Sequence, residues 1–283
     1  METILINRKI GYIAAIILLT SSVCFGQSDQ NVIRKYLRNL PDINPRQDNS
    51  IQKLRMTALY INMDKYGNIT GKVRVTGDYT RGLENGQLSW NNVYVYTSTG
   101  PGDNFDDGKK QDYMEGFRYT PSTDMLKASV FSAFPNNVES VFSRNLVWDM
   151  MGVEDFAWDH LGHLQLNKNY IIESPGLNFE MADIGNYSHT NIQVEWTGIS
   201  EIDDELCANI EYRSLNNKVE INMEQVKTKG TEQYWGNTRI SLRTGHVLFA
   251  EMYSGTLQEA EVPGLKDKFV IKTVREIKVE VIH

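Results

Sequence analysis

The chain has 283 residues, of which 23% are charged and 10% aromatic, and its formal net charge is −7. An acidic chain without a basic patch argues against nucleic acid as a partner and against electrostatic attachment to anionic membranes. The length is sufficient for one large or two small domains with a sizeable core.

The N-terminal segment has the three parts of a secretory signal peptide. Arg8 and Lys9 supply positive charge, residues 10–23 are apolar or small, and Gly26 is a small residue just before the expected cleavage site. The apolar run of about 14 residues is shorter than the roughly 20 that a membrane-spanning helix needs. We therefore expect residues 1–26 to be removed and the mature protein to be exported, either periplasmic or secreted, and not an integral membrane protein.

The two cysteines bear on processing and on disulfide formation. Cys24 allows a second cleavage site, at which it would become the lipid-modified cysteine of a bacterial lipoprotein, but Val23 stands where such signals carry a small residue. Cleavage after Gly26 fits the sequence better. Once Cys24 is removed, Cys207 has no partner for an internal disulfide. Its strand-like surroundings at 206–210 indicate a small buried thiol.

Beyond the signal peptide, residues 27–50 are expected to form a short helix and a linker, and residues 51–283 one β-rich domain. Residues 31–40 have helical apolar spacing, and Pro41 ends that pattern. From residue 51, short runs of β-branched and aromatic residues alternate with turn residues at 66–68, 84–86, 215–218 and 244–245. Strands are predicted at 54–63, 72–79, 87–97, 192–200, 206–214, 219–227, 231–243, 246–258 and 269–282.

A helical insertion at about 122–164 interrupts the strands. A short helix is predicted at 122–133, with Ser122 or Thr123 as its cap. A longer one is predicted at 137–164, where Asn137 is a suitable N-cap and apolar residues recur every three or four positions. Its wide apolar face predicts a mostly buried helix.

A helix this apolar needs a large surface to pack on, and the sheet is the one partner of sufficient size. The expected fold is therefore mainly β (α+β): a long curved antiparallel sheet or incomplete barrel packed on a central helix. The architecture is similar to that of the outer-membrane lipoprotein carriers, in which helices close an incomplete barrel. This similarity implies a fold class and not a function.

The sequence also resembles exported β-rich proteins of unknown function of the Bacteroidota. The resemblance lies in the signal ending Phe-Gly-Gln at 25–27, in Asn-Leu-Val-Trp-Asp-Met-Met at 145–151 and in Gln-Tyr-Trp-Gly at 233–236. It covers most of the mature chain, and it implies no known activity.

The densest polar cluster lies at the end of the longer predicted helix. Its candidate metal ligands are Asp155, Asp159, His160 and His163. The first, second and fourth fall on one helical stripe, and carboxylate with imidazole suits zinc or a similar ion. A solvated helix face with local ion pairs explains the same residues, and the His-Glu-x-x-His pattern is absent. The acidic loop at 103–108 lacks the ligand pattern of an EF-hand and indicates a surface turn.

Motifs of catalysis are missing from the chain. It contains no Gly-x-Ser-x-Gly, no Gly-x-Gly-x-x-Gly and no phosphate-binding loop, so we expect no cofactor. Carboxylates are numerous, but no pair is identifiable without geometry. The sequence leans against an enzyme without excluding one.

Aromatic residues offer candidates for a ligand cavity. They are Trp148, Trp158, Trp196 and Trp235, although large aromatic side chains also simply fill cores. Three functions follow in order of preference. The first is a non-enzymatic binding or carrier module for an apolar or amphipathic ligand. The second is a secreted enzyme, such as a glycan hydrolase with an unrecognised carboxylate site, and the third is a structural protein of the envelope.

Overall fold

One antiparallel sheet makes up most of the fold. The computed structural model describes residues 49–158, 165–173, 178–224 and 226–282. The strands in these ranges are β1 (Gln52–Met63), β2 (Ile69–Arg81), β3 (Leu88–Thr99), β4 (Lys109–Lys110), β5 (Phe117–Tyr119), β6 (Asn169–Glu173), β7 (Asn178–Glu180), β8 (Gly185–Ser188), β9 (Asn191–Ile202), β10 (Glu205–Asn222), β11 (Lys227–Ser241), β12 (Val247–Glu261) and β13 (Phe269–Val281).

The sheet is open. Its strands pair in the order β4-β3-β2-β1-β13-β12-β11-β10-β8-β7, with β5 on β3 and with β9 between β10 and β6. The first and last long strands, β1 and β13, are neighbours and pair from Leu54 with Val281 to Met63 with Lys272. No pairing among the described residues joins the two ends of this path, so the sheet is not closed into a barrel, and the predicted fold class is confirmed.

Alternation of side chains gives the sheet one buried face. In β1, Leu54, Met56 and Ala58 are fully buried, whereas Lys53 and Arg55 between them are exposed. This period of two places every second residue on the same face of a strand. The buried face thus collects the apolar residues of each long strand.

The buried face packs around the α-helix α1 (Val138–Trp158). Asn137 caps the helix, because its Oδ1 accepts the backbone N–H of Ser140 at 2.9 Å. Leu146, Met150 and other apolar residues of α1 are buried against the strands. The helix contacts β1, β2, β3, β10, β11 and β12, which come from both halves of the sheet. The sheet therefore curves around the helix, as the sequence predicts.

The prediction of a short α-helix at 122–133 is wrong. Residues 122–133 form two 3₁₀ turns, Thr123–Leu126 and Ala128–Phe131, and not one α-helix. The side chain of Ser122 makes no capping hydrogen bond, and Lys127 between the turns has an extended backbone. Because the two turns are separate, Met125 and Phe131 can both enter the core.

The prediction of a turn at 215–218 is also wrong. Strand β10 runs through these residues as one strand with a β-bulge. Asn216 has a positive φ of 60°, which Asn tolerates better than most residues. Asn217 is fully buried, and its Oδ1 accepts the Ser214 hydroxyl at 2.8 Å and the Thr190 backbone N–H at 3.1 Å. These side-chain hydrogen bonds replace the backbone hydrogen bonds between strands that are lost at the bulge, so the strand continues.

Some predictions fall outside the described residues. These are the signal peptide at 1–26, nearly all of the helix and linker at 27–50, and the end of the predicted helix at 159–164; they stay predictions. Within the described part of the chain, no helix combines the length and the apolar character that a membrane crossing requires.

The bulge provides a test of the fold. We expect Asn217→Ala to lower the free energy of unfolding by about 1–3 kcal/mol, because it leaves the buried Ser214 hydroxyl and Thr190 N–H without their acceptor. Asn216→Gly is the matched control: its side chain is exposed and its φ suits glycine, so stability should stay nearly unchanged. Chemical denaturation measures both. Equal effects of the two substitutions would contradict this role of the bulge.

Candidate functional site

A cavity of about 350 Å³ lies between α1 and the curved sheet. Asn145, Asp149, Gly152 and Phe156 line it from the helix at spacings of three or four, so they form one stripe along α1. Strands β1, β7, β8, β10, β11, β12 and β13 supply residues to its other walls. The volume lies near the lower end of the roughly 300–1,000 Å³ that is typical of small-molecule sites.

One side of the cavity is apolar. Met181, Ile184, Tyr187 and Val219 form a buried cluster against which Val141, Trp148, Phe179, Ile221 and Met223 pack. Most of these residues also line the cavity, together with Phe156 and Met252. Aromatic and aliphatic side chains in such a wall bind hydrocarbon through the release of water from both surfaces.

Gly152 keeps part of the cavity open. A Cβ placed at this position would meet no heavy atom within 4 Å, although the residue lies inside α1 and lines the cavity. Glycine within a helix costs about 1 kcal/mol relative to alanine. The chain therefore carries a helix-destabilising residue at a point where any larger side chain would enter the cavity.

Another part of the cavity wall holds a buried group of charges. Arg275 on β13 donates from Nη1 to Asp149 Oδ2 at 3.1 Å and from Nη2 to Glu232 Oε1 at 3.3 Å. Its Nε donates to Ser254 Oγ at 3.2 Å, and its guanidinium lies 5.9 Å from the ring centre of Tyr60. Only 10–14% of each charged side chain is exposed. One guanidinium thus ties α1, β11 and β12 to β13.

Burial dominates the electrostatics of this group. Removal from water raises the pKa of Asp149 to about 6, although the positive charge of Arg275 opposes the rise. The net rise of the pKa follows because burial outweighs the effect of Arg275, and the negative charge of Glu232 adds to the rise. Burial lowers the pKa of Arg275, but the two carboxylates outweigh it and hold that pKa well above its usual range, so the guanidinium stays charged.

Two neutral rings border the charged group. Tyr187 is 7% exposed and lines the cavity, and its hydroxyl interacts with Glu232 without completing a well-formed hydrogen bond. Burial and the nearby charge of Glu232 raise the pKa of Tyr187, so it stays protonated. Burial lowers the pKa of His189 to about 4, so its ring is neutral at neutral pH, with Nδ1 3.2 Å from the Tyr234 hydroxyl.

The four tryptophans named as cavity candidates lie in four different places. Trp148 lines the cavity, and its Nε1 donates to the Met125 carbonyl at 2.9 Å. Trp158 packs under the Arg81 guanidinium at 4.4 Å and lines a separate hollow. Trp196 is fully buried, and Trp235 is 47% exposed beside Tyr253 on the opposite face of the sheet. The structure therefore brings one of the four, Trp148, to this cavity.

The candidate metal ligands are not assembled within the described residues. Asp155 is exposed on α1, and Asp159, His160 and His163 lie outside the residues that the structure describes. Among the described residues, no three His, Cys, Asp or Glu side chains are placed to hold a metal ion.

Two other polar features have structural explanations. Asp106 of the acidic loop accepts the backbone N–H of Thr97 and of Gly108, which fits the expected surface turn. Cys207 is fully buried on β10, and burial raises the pKa of its thiol to about 11, so the thiol is protonated at neutral pH.

Sequence reasoning missed the residues that give the cavity its polar side. Asp149, Glu232 and Arg275 are far apart in the chain, and none belongs to a motif. A weak signal was present: Glu232 and Arg275 occupy inward positions of their strands, in phase with Tyr234 and with Ile277. A charge on the apolar face of an alternating strand indicates a buried polar site.

Comparisons with known proteins add little to this geometry. No family model matches the chain, and no curated protein matches it at a significant level. A solved structure described as lipid–protein interactions in lipovitellin matches with a TM-score of 0.43 and 11% sequence identity. The match covers 84% of this chain and 25% of the other, so the chain spans about a quarter of that protein's length. A likeness of this size carries no argument about function.

The buried carboxyl of Asp149 makes stability depend on pH. In the folded protein it takes up a proton as the pH falls through about 6, whereas in the unfolded chain it stays ionised down to about pH 4. Because the folded state then binds one proton more, we expect the stability of the wild type to rise relative to Asp149→Asn as the pH falls from 7 to 4. Denaturation at several pH values measures the difference. A difference that does not vary with pH would contradict the raised pKa.

Proposed function

We propose that this protein is an exported, non-enzymatic binding protein that holds a single-chain amphipathic ligand between α1 and the sheet. The observation that carries the proposal is the cavity of about 350 Å³ with an apolar side and a buried charged side. A hydrocarbon chain fits the side formed by Trp148, Phe179 and Val219. A polar end fits the side formed by Asp149, Glu232 and Arg275.

The size of the cavity supports one chain and not a diacyl lipid. Small-molecule sites of roughly 300 Å³ are the smallest of their class. Gly152 supports the same reading, because the space beside it is maintained at a cost to helix stability. Export is part of the proposal and rests on the N-terminal pattern of the sequence.

A second function is favoured by one observation. Two carboxylates, Asp149 and Glu232, line the same cavity, and the pKa of Asp149 is raised to about 6, as in a general acid. A secreted hydrolase would use such a pair. Both carboxylates are held by Arg275, and much of the remaining cavity wall is apolar, which favours binding over hydrolysis. Turnover of a chromogenic glycoside that is lost in both Asp149→Asn and Glu232→Gln would support the enzyme instead.

Binding can be tested by filling the cavity from the helix. N-phenyl-1-naphthylamine, a neutral probe that fluoresces in apolar surroundings, should bind the mature protein with saturation. Gly152→Trp should weaken that binding at least tenfold, because the indole enters the open space beside the helix. Fluorescence titration gives both dissociation constants.

Gly152→Ala is the matched control. Its methyl group leaves most of the cavity open, so probe binding should persist. The free energy of unfolding should increase by about 0.5–1 kcal/mol, because alanine favours the helix. The binding proposal fails if the wild type shows no saturable binding, or if Gly152→Trp binds the probe as tightly as Gly152→Ala does.

A further inference from the structure

The charged lining of the cavity is unbalanced. The described lining residues include two carboxylates, Asp149 and Glu232, and one guanidinium, Arg275. His189 also lines the cavity but is neutral at neutral pH, because burial lowers its pKa to about 4. With both acids ionised, this lining carries one net negative charge, which repels anions and attracts cations.

The single cation among the described lining residues already has hydrogen-bond partners. Arg275 directs Nη1 to Asp149, Nη2 to Glu232 and Nε to Ser254, so all three of its nitrogens have acceptors within the protein. A carboxylate or phosphate entering the cavity would compete with these acceptors for the guanidinium. It would also meet the charge of both acids without water to screen them.

The acceptors, in contrast, have spare capacity. Asp149 uses Oδ2 and Glu232 uses Oε1 for Arg275, and the Tyr187 hydroxyl lies beside Glu232. Because a carboxylate offers about four acceptor sites, both groups can accept a further donor. A carboxylate oxygen buried beside a cavity gains from a donor, above all from a charged one.

The Tyr187 hydroxyl lies at the same place. It is buried, borders the cavity and interacts with Glu232, but it does not complete a well-formed hydrogen bond with that carboxylate. Buried hydroxyls in folded proteins are nearly always well paired. A group that bonds both Tyr187 and Glu232 would improve on this contact.

We infer that the polar end of the ligand is a protonated primary amine, received by Asp149 and Glu232, that its chain lies against Trp148 and Phe179, and that long-chain carboxylates are rejected. This inference rests on the proposed function and deepens it. The ammonium group restores the charge balance, and its three N–H donors can be accepted by the oxygens of Asp149 and Glu232. The chain occupies the apolar side.

A set of three ligands with the same chain tests the inference on the wild type. Decylamine, decanol and decanoate differ only at the polar end and are titrated at pH 8 below their aggregation limits, by competition with N-phenyl-1-naphthylamine. Decylamine should bind at least tenfold more tightly than decanoate, with decanol between them. Decanoate binding as tightly as decylamine, or more tightly, overturns the inference.

Substitutions test whether Glu232 causes the preference for the amine. Glu232→Gln should reduce the affinity for decylamine about tenfold and leave that for decanol nearly unchanged, because it removes charge and not volume. Glu276→Gln is the matched control: it makes the same change at the exposed position next to Arg275 on β13 and should alter neither affinity. Equal losses in the two variants would contradict the assignment. The ranking of ligands on the wild type stands even if Glu232→Gln folds poorly.

The outcomes separate this inference from the proposed function. Saturable binding of all three ligands without preference, abolished by Gly152→Trp, keeps the binding function and overturns the amine specificity. Absence of binding for all three ligands and for the naphthylamine probe overturns both.

Discussion

The salt bridges of Arg275 are the interaction on which the rest of the structure depends. The guanidinium lies on β13, in the middle of the sheet, and pairs with Asp149 of α1 and Glu232 of β11. Taking such ions out of water costs several kcal/mol each, and the cost is offset only when partners and hydrogen bonds are well placed. Loss of Arg275 would leave two buried carboxylates without their compensating charge. The position of the helix on the sheet is therefore set by a polar contact as well as by apolar packing.

This contact also explains why a cavity can persist under the helix. Leu146, Met150 and Val153 are buried on α1 and fill the space against the sheet, whereas the stripe with Asp149 and Gly152 faces the cavity. Apolar collapse alone would close such a gap, because unfilled volume loses dispersion contacts. The ion pairs keep Asp149 at the cavity, and Gly152 places no side chain in it. Polar and apolar surfaces then border one space, which is the arrangement that an amphipathic molecule requires.

Much of the fold was predictable because it depends on local patterns. The helix follows from apolar residues at spacings of three or four after Asn137, and the long strands follow from alternation and turn residues. The bulge at 214–217 was predicted as a turn, since two adjacent asparagines suit either structure and the deciding bonds of Asn217 come from distant Thr190. The same limit applies to the 3₁₀ turns near Met125, which depend on the core that they enter.

The candidate site was only partly predictable, for a different reason. Trp148 stands out by its type, but Asp149, Glu232 and Arg275 are ordinary charged residues separated by many strands. Their meaning comes from register: β11 and β12 pair Glu232 with Thr256, and β12 and β13 pair Ser254 with Arg275. A shift of one residue would turn these side chains to the solvent. The sequence shows which residues of a strand share a face, but it does not show which residues of neighbouring strands lie side by side.

The most direct measurement is a crystal structure with a bromine-tagged ligand, 10-bromodecylamine, located by anomalous scattering. The expected result is one bromine site against Phe179, Val219 and Ile221, with the amine near Asp149 and Glu232. A bromine site on the opposite face of the sheet beside Trp235, or a cavity closed by protein side chains, would contradict the account.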